Sequence, residues 1–333
     1  MSDTSVLPIA LDAMGGDHGL APIIEGALKA HALGIRVVLV GDEHRIYTEL
    51  LRQEQHREID IVHASGVMTM DDHASDIRKH SQSSIQVAMR LVKSGQASAV
   101  VSMGHSGATM ASALLTLGRL KGIDRPAIVG RFPHAKGIGL LLDMGANADV
   151  KPRHYAQWAL LATHHLRDVY GVEHPSVGLL SIGEEAHKGS QGVIEAHQLL
   201  KNTSGISFYG NVEGSDLFKG TTDIVVTDGF TGNVVLKTIE SEAKMLMSWL
   251  RESLESSLWT RLGGLLAKQA FRQVRAKLDP SEYGASPLLG VQGLVFIGHG
   301  SSDARAVEKG LLYAQSVVQS GTLSKLKESL AKM

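Results

Sequence analysis

The sequence predicts an α/β protein with an open, mostly parallel sheet. Short apolar runs rich in valine and isoleucine alternate with helical patterns along most of the chain. A polar loop with glycine follows nearly every run, as is typical of strand-to-helix turns in parallel sheets. Both features meet in residues 222–237, where the strand-like run 224–226 stops before Asp228 and a long helical pattern follows. This alternation is the pattern of an open α/β sheet.

The first part of the chain is predicted to form strands that each lead into a helix. Pro22 suits the first turn of a helix ending near residue 33, and a charged helix ends near Gln55. Ser83 with Gln86 resembles a capping box that opens a helix to about residue 93. Residues 68–79 are polar and are predicted to be a loop beside the site, and a further helix covers 109–117. The predicted strands of this part are 9–13, 37–40, 59–62 and 99–102.

The second part repeats the pattern after a pair of adjacent apolar runs. Runs 127–131 and 139–142 are separated by a turn-rich segment, which predicts antiparallel or edge strands closing a first lobe. Pro152 lies just before a helix reaching about residue 170. The further predicted strands are 177–182, 206–209, 224–226 and 294–297, and the further helices end near residues 201, 258 and 318.

Composition limits the class of protein. The chain has 333 residues, 43% of them hydrophobic, and a net charge of −1, which argues against bulk nucleic-acid binding. It has no cysteine, so a disulfide framework, a thiolate metal site and a cysteine nucleophile are excluded. The amino terminus lacks the pattern of a signal peptide, and no apolar run approaches the roughly 20 residues needed to span a bilayer. We expect a soluble, cytoplasmic protein.

The polar loops after the strands are the candidate site. In open α/β sheets, ligands bind outside the carboxyl ends of the strands, so we expect these loops to converge. The turn at residues 228–233 places backbone amides at a helix start, where they favour an anion. Asp228 repels phosphate, and we expect it to orient a donor, accept a hydroxyl or cap the helix.

Lys188 is the most informative charge in these loops. It follows an apolar strand and precedes Gly189 at a helix start, where the helix dipole disfavours a lysine unless an anion binds or a carboxylate neutralises it. An anion ligand is one interpretation. A local surface pair with Glu184 or Glu185 is the other.

Several familiar motifs are absent. His105 and Ser106 superficially resemble a hydrolase nucleophile elbow, but no residue separates Ser106 from Gly107, so a hydrogen-bonding loop at a helix start is the preferred interpretation. The first strand lacks a G-x-G-x-x-G sequence, and no phosphate-binding P-loop occurs. The histidines show no metal-ligand spacing. We therefore expect no metal and no cofactor.

Residues 245–277 are predicted to form a helical hairpin with an apolar tip and a basic flank. Such a hairpin can insert shallowly into an anionic membrane surface or dock an acidic protein, and the alternative is a helix pair that packs in a dimer. The residues expected to make this contact are Trp249, Trp259, Leu262, Leu265 and Leu266, with Arg261, Lys268, Arg272 and Arg275.

Taken together, the loops resemble those of the PlsX-type phosphate acyltransferases of bacterial phospholipid synthesis. The resemblance runs in order over essentially the whole chain. One departure stands out, because family members usually have Asn-Thr where this chain has His105-Ser106. The matching segments are residues 10–19, 101–111, 141–147, 181–189, 209–214, 222–240 and 298–307.

The resemblance implies a three-layer α/β/α fold like that of isocitrate and isopropylmalate dehydrogenases, as a single two-lobed domain over residues 1–333, with a protruding hairpin. It implies a homodimer that transfers a long-chain acyl group from acyl carrier protein to inorganic phosphate. The acyl phosphate would serve a glycerol-3-phosphate acyltransferase. It also implies peripheral contact of the hairpin with the inner face of the membrane. The rivals are a phosphotransacetylase-type enzyme using acyl-CoA, a decarboxylating dehydrogenase and a non-catalytic membrane scaffold.

For acyl transfer, phosphate must be held near the thioester, and the thioester oxygen needs donors as it becomes an oxyanion. We expect Lys188, Asp228 and Asn233 to be catalytic, with direct attack preferred over an acyl-lysine intermediate, and the aspartates to orient donors. The expected substrate- and phosphate-binding residues are Asp12, Gly15, Gly16, His105, Ser106, Asp143, Asn147, Gly189, Asn211, Glu213, Gly229, Thr231, Gly232 and Ser301.

Overall fold

A computed structural model describes residues 7–53, 59–69 and 72–331, and within these ranges the side chains of 275–278 and 280 are excepted. The described strands form one sheet in the order β3-β2-β1-β4-β11-β10-β5-β6-β9-β7-β8. Their bounds are β1 Ile9–Asp12, β2 Val37–Gly41, β3 Asp60–His63, β4 Ala99–Ser102, β5 Ala127–His134, β6 Gly137–Leu142, β7 Ser176–Leu180, β8 Ser207–Val212, β9 Ile224–Val226, β10 Ala285–Leu289 and β11 Leu294–Gly298.

Helices cover both faces of this sheet. Two short 3₁₀ helices, Ala74–Arg78 and Pro280–Glu282, lie between the longer elements. No helix in the described part of the chain is long and apolar enough to cross a membrane. The helices are α1 Leu20–Ala32, α2 Glu43–Arg52, α3 Ser84–Lys93, α4 Ser106–Thr116, α5 Pro152–Tyr170, α6 Gln191–Lys201, α7 Gly214–Lys219, α8 Gly229–Glu255, α9 Leu258–Leu266, α10 Lys268–Leu278, α11 Ala304–Ser320 and α12 Thr322–Ala331.

The sheet consists of two parallel blocks joined by antiparallel strands. Strands β3, β2, β1, β4 and β11 form the first block, and β6, β9, β7 and β8 form the second. Strands β10 and β5 pair antiparallel with their neighbours between the blocks. The two blocks therefore run in opposite directions along the sheet.

Each block is buried on both faces, as parallel sheets generally are. In β1, Ile9 and Leu11 point into one apolar cluster beneath α1 and α11, whereas Ala10 points into another beneath α3 and α4. The second block has a large cluster around Trp158 of α5. Its other face carries a smaller cluster that includes Phe132, Leu141 and Leu217. The predicted three-layer α/β/α class with a mostly parallel sheet is confirmed.

Runs 127–131 and 139–142 pair antiparallel, which confirms that alternative of the prediction. They do not lie at an edge of the sheet, because β10 and β11 return from the end of the chain. Other details differ from the sequence prediction. Strand β10 and helices α7 and α12 were not predicted. The loop at 68–79 contains a 3₁₀ helix, and its residues 70–71 lie outside the described ranges, as does Gln55.

The prediction of a capping box at the start of α3 was also wrong. Ser83 is the residue that precedes the helix, but its side chain makes no capping hydrogen bond. The Gln86 side chain instead accepts a hydrogen bond from the Thr116 hydroxyl of α4, at 2.8 Å. Tertiary contact with α4 therefore replaces the local bond that the sequence spacing favours.

Candidate active site

A cavity of about 500 Å³ lies over β10, β5 and β6, where the two parallel blocks meet. This is the kind of switch point at which open α/β sheets bind ligands. Its polar wall comes mainly from the starts of α4, α8 and β10 and from the end of β11, and includes Asp17, Gly104, His105, Ser106, Gly107, Asn233, Lys237, Glu240, His299 and Gly300. Its apolar wall comes from β5, β6, α7 and α8, and includes Phe132, Pro133, Leu141, Met144, Leu217, Leu236, Ile239 and Ala243.

The start of α4 forms part of the polar wall. His105 caps the helix, because its Nδ1 accepts a hydrogen bond from the Ala108 amide at 3.1 Å. A neutral His105 must then carry its proton on Nε2. Ser106 and Gly107 are the first two residues of the helix, so their amides belong to the positive end of its dipole. The His105-Ser106 pair therefore supplies a capping side chain at the start of α4.

Asp12, at the end of β1, holds the loops after β1 and β4 in place. Its Oδ2 accepts a hydrogen bond from the Ser102 hydroxyl at 2.8 Å, and its Oδ1 accepts one from the Met14 amide. Burial raises the pKa of the Asp12 carboxyl, and these hydrogen bonds oppose that shift. Gly15 packs against Gly104, since a Cβ on Gly15 would lie 2.8 Å from the Gly104 Cα. Asp12 is not among the lining residues, and its contacts orient the loops that are.

Gly16 and Ser301 lie at the junction of the first and last loops of the first block. The amide of Asp17, the residue after Gly16, donates to the Gly300 carbonyl at 2.7 Å. The Ser301 hydroxyl and His299 Nδ1 lie 2.8 Å apart. Asp17, His299 and Gly300 line the cavity, whereas Gly16 and Ser301 themselves do not.

Asp143 is a buried hub for the loop after β6. Its carboxylate accepts hydrogen bonds from the amides of Ile128, Ala146 and Asn147 and from the Asn147 side chain, at 2.7 to 3.1 Å. Burial raises the pKa of Asp143 against the effect of these donors. The Asn147 carbonyl then accepts from the Gly229 amide at 2.8 Å. Asp143 and Asn147 thus tie the β6 loop to the start of α8.

The start of α8 binds mostly to the protein itself. Asp228 caps the helix by accepting from the Thr231 amide at 2.8 Å and its hydroxyl at 2.7 Å. The Gly229 and Thr231 amides are therefore already used. A Cβ on Gly232 would lie 1.9 Å from the Asp143 carbonyl oxygen, so the helix approaches the β6 loop very closely. Of residues 228–233, Asn233 is the one that lines the cavity.

Lys237 is a site residue that the sequence analysis missed. It lies one turn after Asn233 on the same face of α8, and both line the cavity. Its side chain is exposed, and no carboxylate among the described residues forms an ion pair with it. The four-residue spacing from Asn233 is a signal that could have identified it. Arg131 also lines the cavity, but its guanidinium donates to the carbonyls of Tyr283 and Ala285.

The loops after β7 and β8 do not contribute to the cavity lining. Asn211 uses its amide within the protein, because its Nδ2 donates to the Glu185 carbonyl and its Oδ1 contacts His197 Nδ1 at 2.9 Å. Lys188 is partly buried, and no ion pair with Glu184 or Glu185 occurs among the described residues. The local-pair interpretation is therefore not observed.

Gly189 and Glu213 belong to the same two loops. Gly189 has a φ of +110° and precedes α6, and Glu213 precedes α7, where its amide donates to Asp216. The expectation that all polar loops converge is only partly fulfilled. Those of β1, β4, β6 and β11 meet at one cavity together with the α8 turn that follows β9.

Helices α8, α9 and α10 extend away from the sheet and end in exposed apolar side chains. Trp259 is 84% and Leu266 is 90% exposed. Trp249, Leu262 and Leu265 are also exposed, as are the basic residues Arg261, Lys268 and Arg272. The side chain of Arg275 lies outside the described residues. The predicted single long helix to residue 258 ends instead at Glu255, and Ser257 caps α9 through the Thr260 amide.

Among the described residues, no cluster of three or more histidine, aspartate or glutamate side chains could hold a metal ion. The polar wall offers amide, imidazole and ammonium donors, and the apolar wall offers space for a hydrocarbon chain. Such a cavity can hold an amphipathic ligand with an anionic or carbonyl end.

The family profile and the similar proteins agree on one family. The sequence profile of the family described as "Fatty acid synthesis protein" matches residues 7–325. The phosphate acyltransferase of Deinococcus radiodurans is 57% identical over 279 residues, covering 83% of this chain and 78% of the relative. That of Thermus thermophilus is 50% identical over 325 residues, covering 98% and 99%.

Solved structures with a similar fold are distant in sequence. A phosphotransacetylase from Streptococcus pyogenes superposes with a TM-score of 0.64 at 15% identity, covering 95% of this chain and 94% of that one. A 4-hydroxythreonine-4-phosphate dehydrogenase from Klebsiella pneumoniae gives 0.56 at 13% identity, covering 94% and 100%. At such identities the likeness concerns the fold alone.

Proposed function

The chain belongs to the fatty acid synthesis protein family, in which it is similar to phosphate acyltransferases, and from that premise we propose that its donor is a long-chain acyl thioester of acyl carrier protein. The chain is an acyltransferase that transfers an acyl group to phosphate for fatty acid and phospholipid synthesis. The proposed product is an acyl phosphate, which a glycerol-3-phosphate acyltransferase would consume.

The observation that carries the proposal is the pairing of a polar and an apolar wall in one cavity. A fatty acyl chain against Phe132, Leu217, Leu236 and their neighbours would gain about 0.8 kcal/mol for each buried methylene. The thioester carbonyl at the head of that chain would then lie towards the polar wall. This arrangement suits a long-chain acyl donor better than an acetyl donor, which has little to bury.

The reaction requires one bond to form and one to break. An oxygen of hydrogen phosphate attacks the thioester carbon, the carbonyl oxygen becomes an oxyanion, and the C–S bond breaks with its electron pair leaving on sulfur. The proton of hydrogen phosphate ends on the thiol. Donors aimed at the developing oxyanion lower the barrier more than donors that bind the ground state.

The polar residues divide into those that contact substrate and those that orient them. We assign phosphate or oxyanion binding to Lys237 and Asn233 on α8 and to the Ser106 amide on α4, because these three residues line the cavity. Asp228 acts by fixing the start of α8. Lys188 is proposed as a second phosphate-binding cation. It lies outside the cavity lining, in the loop after β7, the strand that pairs with β9.

The donor is tested by mixing the purified protein with inorganic phosphate and a long-chain acyl carrier protein thioester. Free thiol is measured with a thiol-reactive dye, and acyl phosphate is trapped with hydroxylamine as a hydroxamate. The expected result is thiol release that requires phosphate and yields the hydroxamate. Turnover with acyl-CoA but not with the carrier protein would assign the donor to the phosphotransacetylase type, and silence with both donors would contradict an active catalytic site.

The proposal extends to the apolar tip, through which the protein would contact the cytoplasmic face of an anionic membrane as a peripheral homodimer. Tryptophan and leucine at the tip with flanking cations are the composition of an interfacial anchor. Replacing Trp259 and Leu266 with serine should abolish co-sedimentation with vesicles of anionic lipid while leaving turnover in solution unchanged. Full vesicle binding by this variant would assign the tip to dimer packing or another partner.

A further inference from the structure

A second depression lies beside the cavity, and its lining is basic. It is a shallow groove of about 840 Å³ formed by α4 and the loop that follows it. Its exposed cations are Arg119, Lys121 and Arg125. Its one acidic residue, Asp124, is paired with Arg153, so the groove keeps an excess of positive charge. We call this surface, residues 118–126 with Met110 and Leu114, the basic groove.

The loop of the basic groove is held in place by hydrogen bonds at several points. The Leu120 amide donates to the Gly290 carbonyl at 2.9 Å, and the Gln292 amide donates to the Gly118 carbonyl at 2.9 Å. The Trp158 indole donates to the Arg125 carbonyl, also at 2.9 Å. A preorganised charged surface loses little conformational entropy when a partner binds.

The groove and the cavity lie along one face of α4. Gly107 lines the cavity, and Met110 and Leu114, three and four residues further on in turn, line the groove. With a rise of 1.5 Å per residue, the groove side of α4 begins about 6 Å from Ser106 and reaches about 12 Å from it. The two depressions also share the loop after β6, through Gly145 in the cavity and Asn147 in the groove.

We propose that the basic groove is the docking surface for the acidic carrier protein that presents the acyl thioester. This rests on the proposed function and adds where the donor binds. The carrier's prosthetic arm, made of pantoic acid, β-alanine and cysteamine, is about as long as five extended residues, roughly 17 Å. A carrier seated on the groove can therefore place its thioester at the start of α4.

The length of the arm disfavours docking at the outer cations of the hairpin, Arg261 and Lys268. A Cβ on Gly264 of α9 would lie 3.3 Å from the Leu254 side chain, so these two residues are neighbours. Leu254 itself lies about 26 Å along α8 from Lys237. Arg261 and Lys268, which flank Gly264 in sequence, are thus further from the polar wall than the arm can span.

Apolar side chains accompany the cations of the basic groove. Met110 and Leu114 line it, and Leu115, the next residue of α4, is 47% exposed. Protein interfaces commonly combine an apolar centre with a polar rim. The groove therefore offers a carrier protein both kinds of contact.

The test compares two donors that differ only in the carrier. One is the acyl carrier protein thioester, and the other is the same acyl group on pantetheine, which lacks a protein surface. Lys121→Glu, alone and combined with Arg119→Gln, should raise KM for the carrier donor by roughly tenfold in the double variant, equivalent to about 1.4 kcal/mol, with kcat within about twofold. KM for acyl pantetheine should not change. Raising the salt concentration should increase KM for the carrier donor in the wild type and should increase it much less in the double variant.

One charge-reversal variant serves as the control. Lys201→Glu reverses an exposed charge on α6, outside both depressions, and should leave both KM values unchanged. Unchanged KM in the groove variants together with a raised KM in Lys268→Glu would move docking to the hairpin. An equal rise in KM for both donors, or a changed oligomeric state of the groove variants, would also overturn the proposal. If the wild type uses acyl pantetheine but not the carrier donor, the donor assignment itself fails.

Discussion

Gly232 offers a sharp test of how the start of α8 is placed. A Cβ at this position would lie 1.9 Å from the Asp143 carbonyl oxygen, whereas ordinary contact begins at 3.4 Å. A backbone atom on one side must then move by about 1.5 Å, and overpacking of this kind costs typically 1–3 kcal/mol. Alanine favours a helix over glycine by about 1 kcal/mol, which offsets part of that cost. Because the obstacle is backbone, we take the upper end of that range, about 3 kcal/mol, and expect a net loss of about 2 kcal/mol for Gly232→Ala.

The melting temperature reports the loss of stability, and the activity reports the displacement of α8. With an unfolding entropy of about 2.1 cal/mol/K per residue, 2 kcal/mol corresponds to a decrease in Tm of about 3 °C for a chain of this length. The same displacement moves Asn233 and Lys237, so kcat/KM should fall by about 100-fold, the typical effect of a 1 Å misplacement. Calorimetry and the hydroxamate assay measure the two effects.

Gly192→Ala is the matched control. Gly192 lies in α6, and its nearest Cβ contact would be the Ser190 hydroxyl at 4.0 Å. The helix propensity of alanine should therefore leave its Tm unchanged or slightly raised. If Gly232→Ala also keeps or raises Tm with full activity, α8 does not approach the β6 loop as closely as the structure indicates.

Three further predictions concern the cavity and the core. Lys237→Gln should raise the KM for phosphate and lower kcat/KM by at least tenfold, more than Lys188→Ala does, because only Lys237 lines the cavity; an effect confined to Lys188→Ala would reverse their roles. Leu236→Trp should shift the preferred acyl chain to shorter lengths in a series of donors. Val234→Trp should not, because Val234 is 49% exposed on the same helix. Equal shifts in the two variants would mean that the acyl chain binds elsewhere. Burial lowers the pKa of His165 to about 3, so the unfolded state binds a proton that the native state does not as pH falls below about 6.5. Stability should then fall by up to about 1.4 kcal/mol for each pH unit between about 6.5 and 3, and His165→Gln should show a shallower decline in urea midpoints; an identical decline would exclude His165 as its source.

The sequence identified most strands because their apolar runs are continuous, as expected for strands buried on both faces. Val37, Val38 and Leu39, for example, are all buried. It missed β10, where Pro287 interrupts the run Ala285–Leu289. Proline is normally an edge-strand residue, and its place between β11 and β5 is set by pairing across the whole chain.

The sequence predicted which loops form much of the candidate site, but it did not predict the contacts between them. The sequence indicated that Asp12, Asp143 and Asp228 orient other groups, and their hydrogen bonds are consistent with that expectation. It could not indicate that the Gly229 amide is used by Asn147, because that bond joins loops of different strands. Lys237 was missed since a lysine on a long helix is usually a solvated residue, and only the approach of α8 to β5 and β6 gives it a cavity to face.

The placement of β10 and β11 has a consequence for biosynthesis. The first parallel block begins with β1 but is completed only by β11 and α11, which follow the entire second block in the chain. A ribosome-bound chain therefore exposes the edge of β4 until residues near 300 have been synthesised. The second block has all of its strands between β6 and β9, so it can pair them before β10 is synthesised. A premature stop codon even shortly before β10 would leave the amino-terminal block with an unpaired edge strand, a form prone to aggregate.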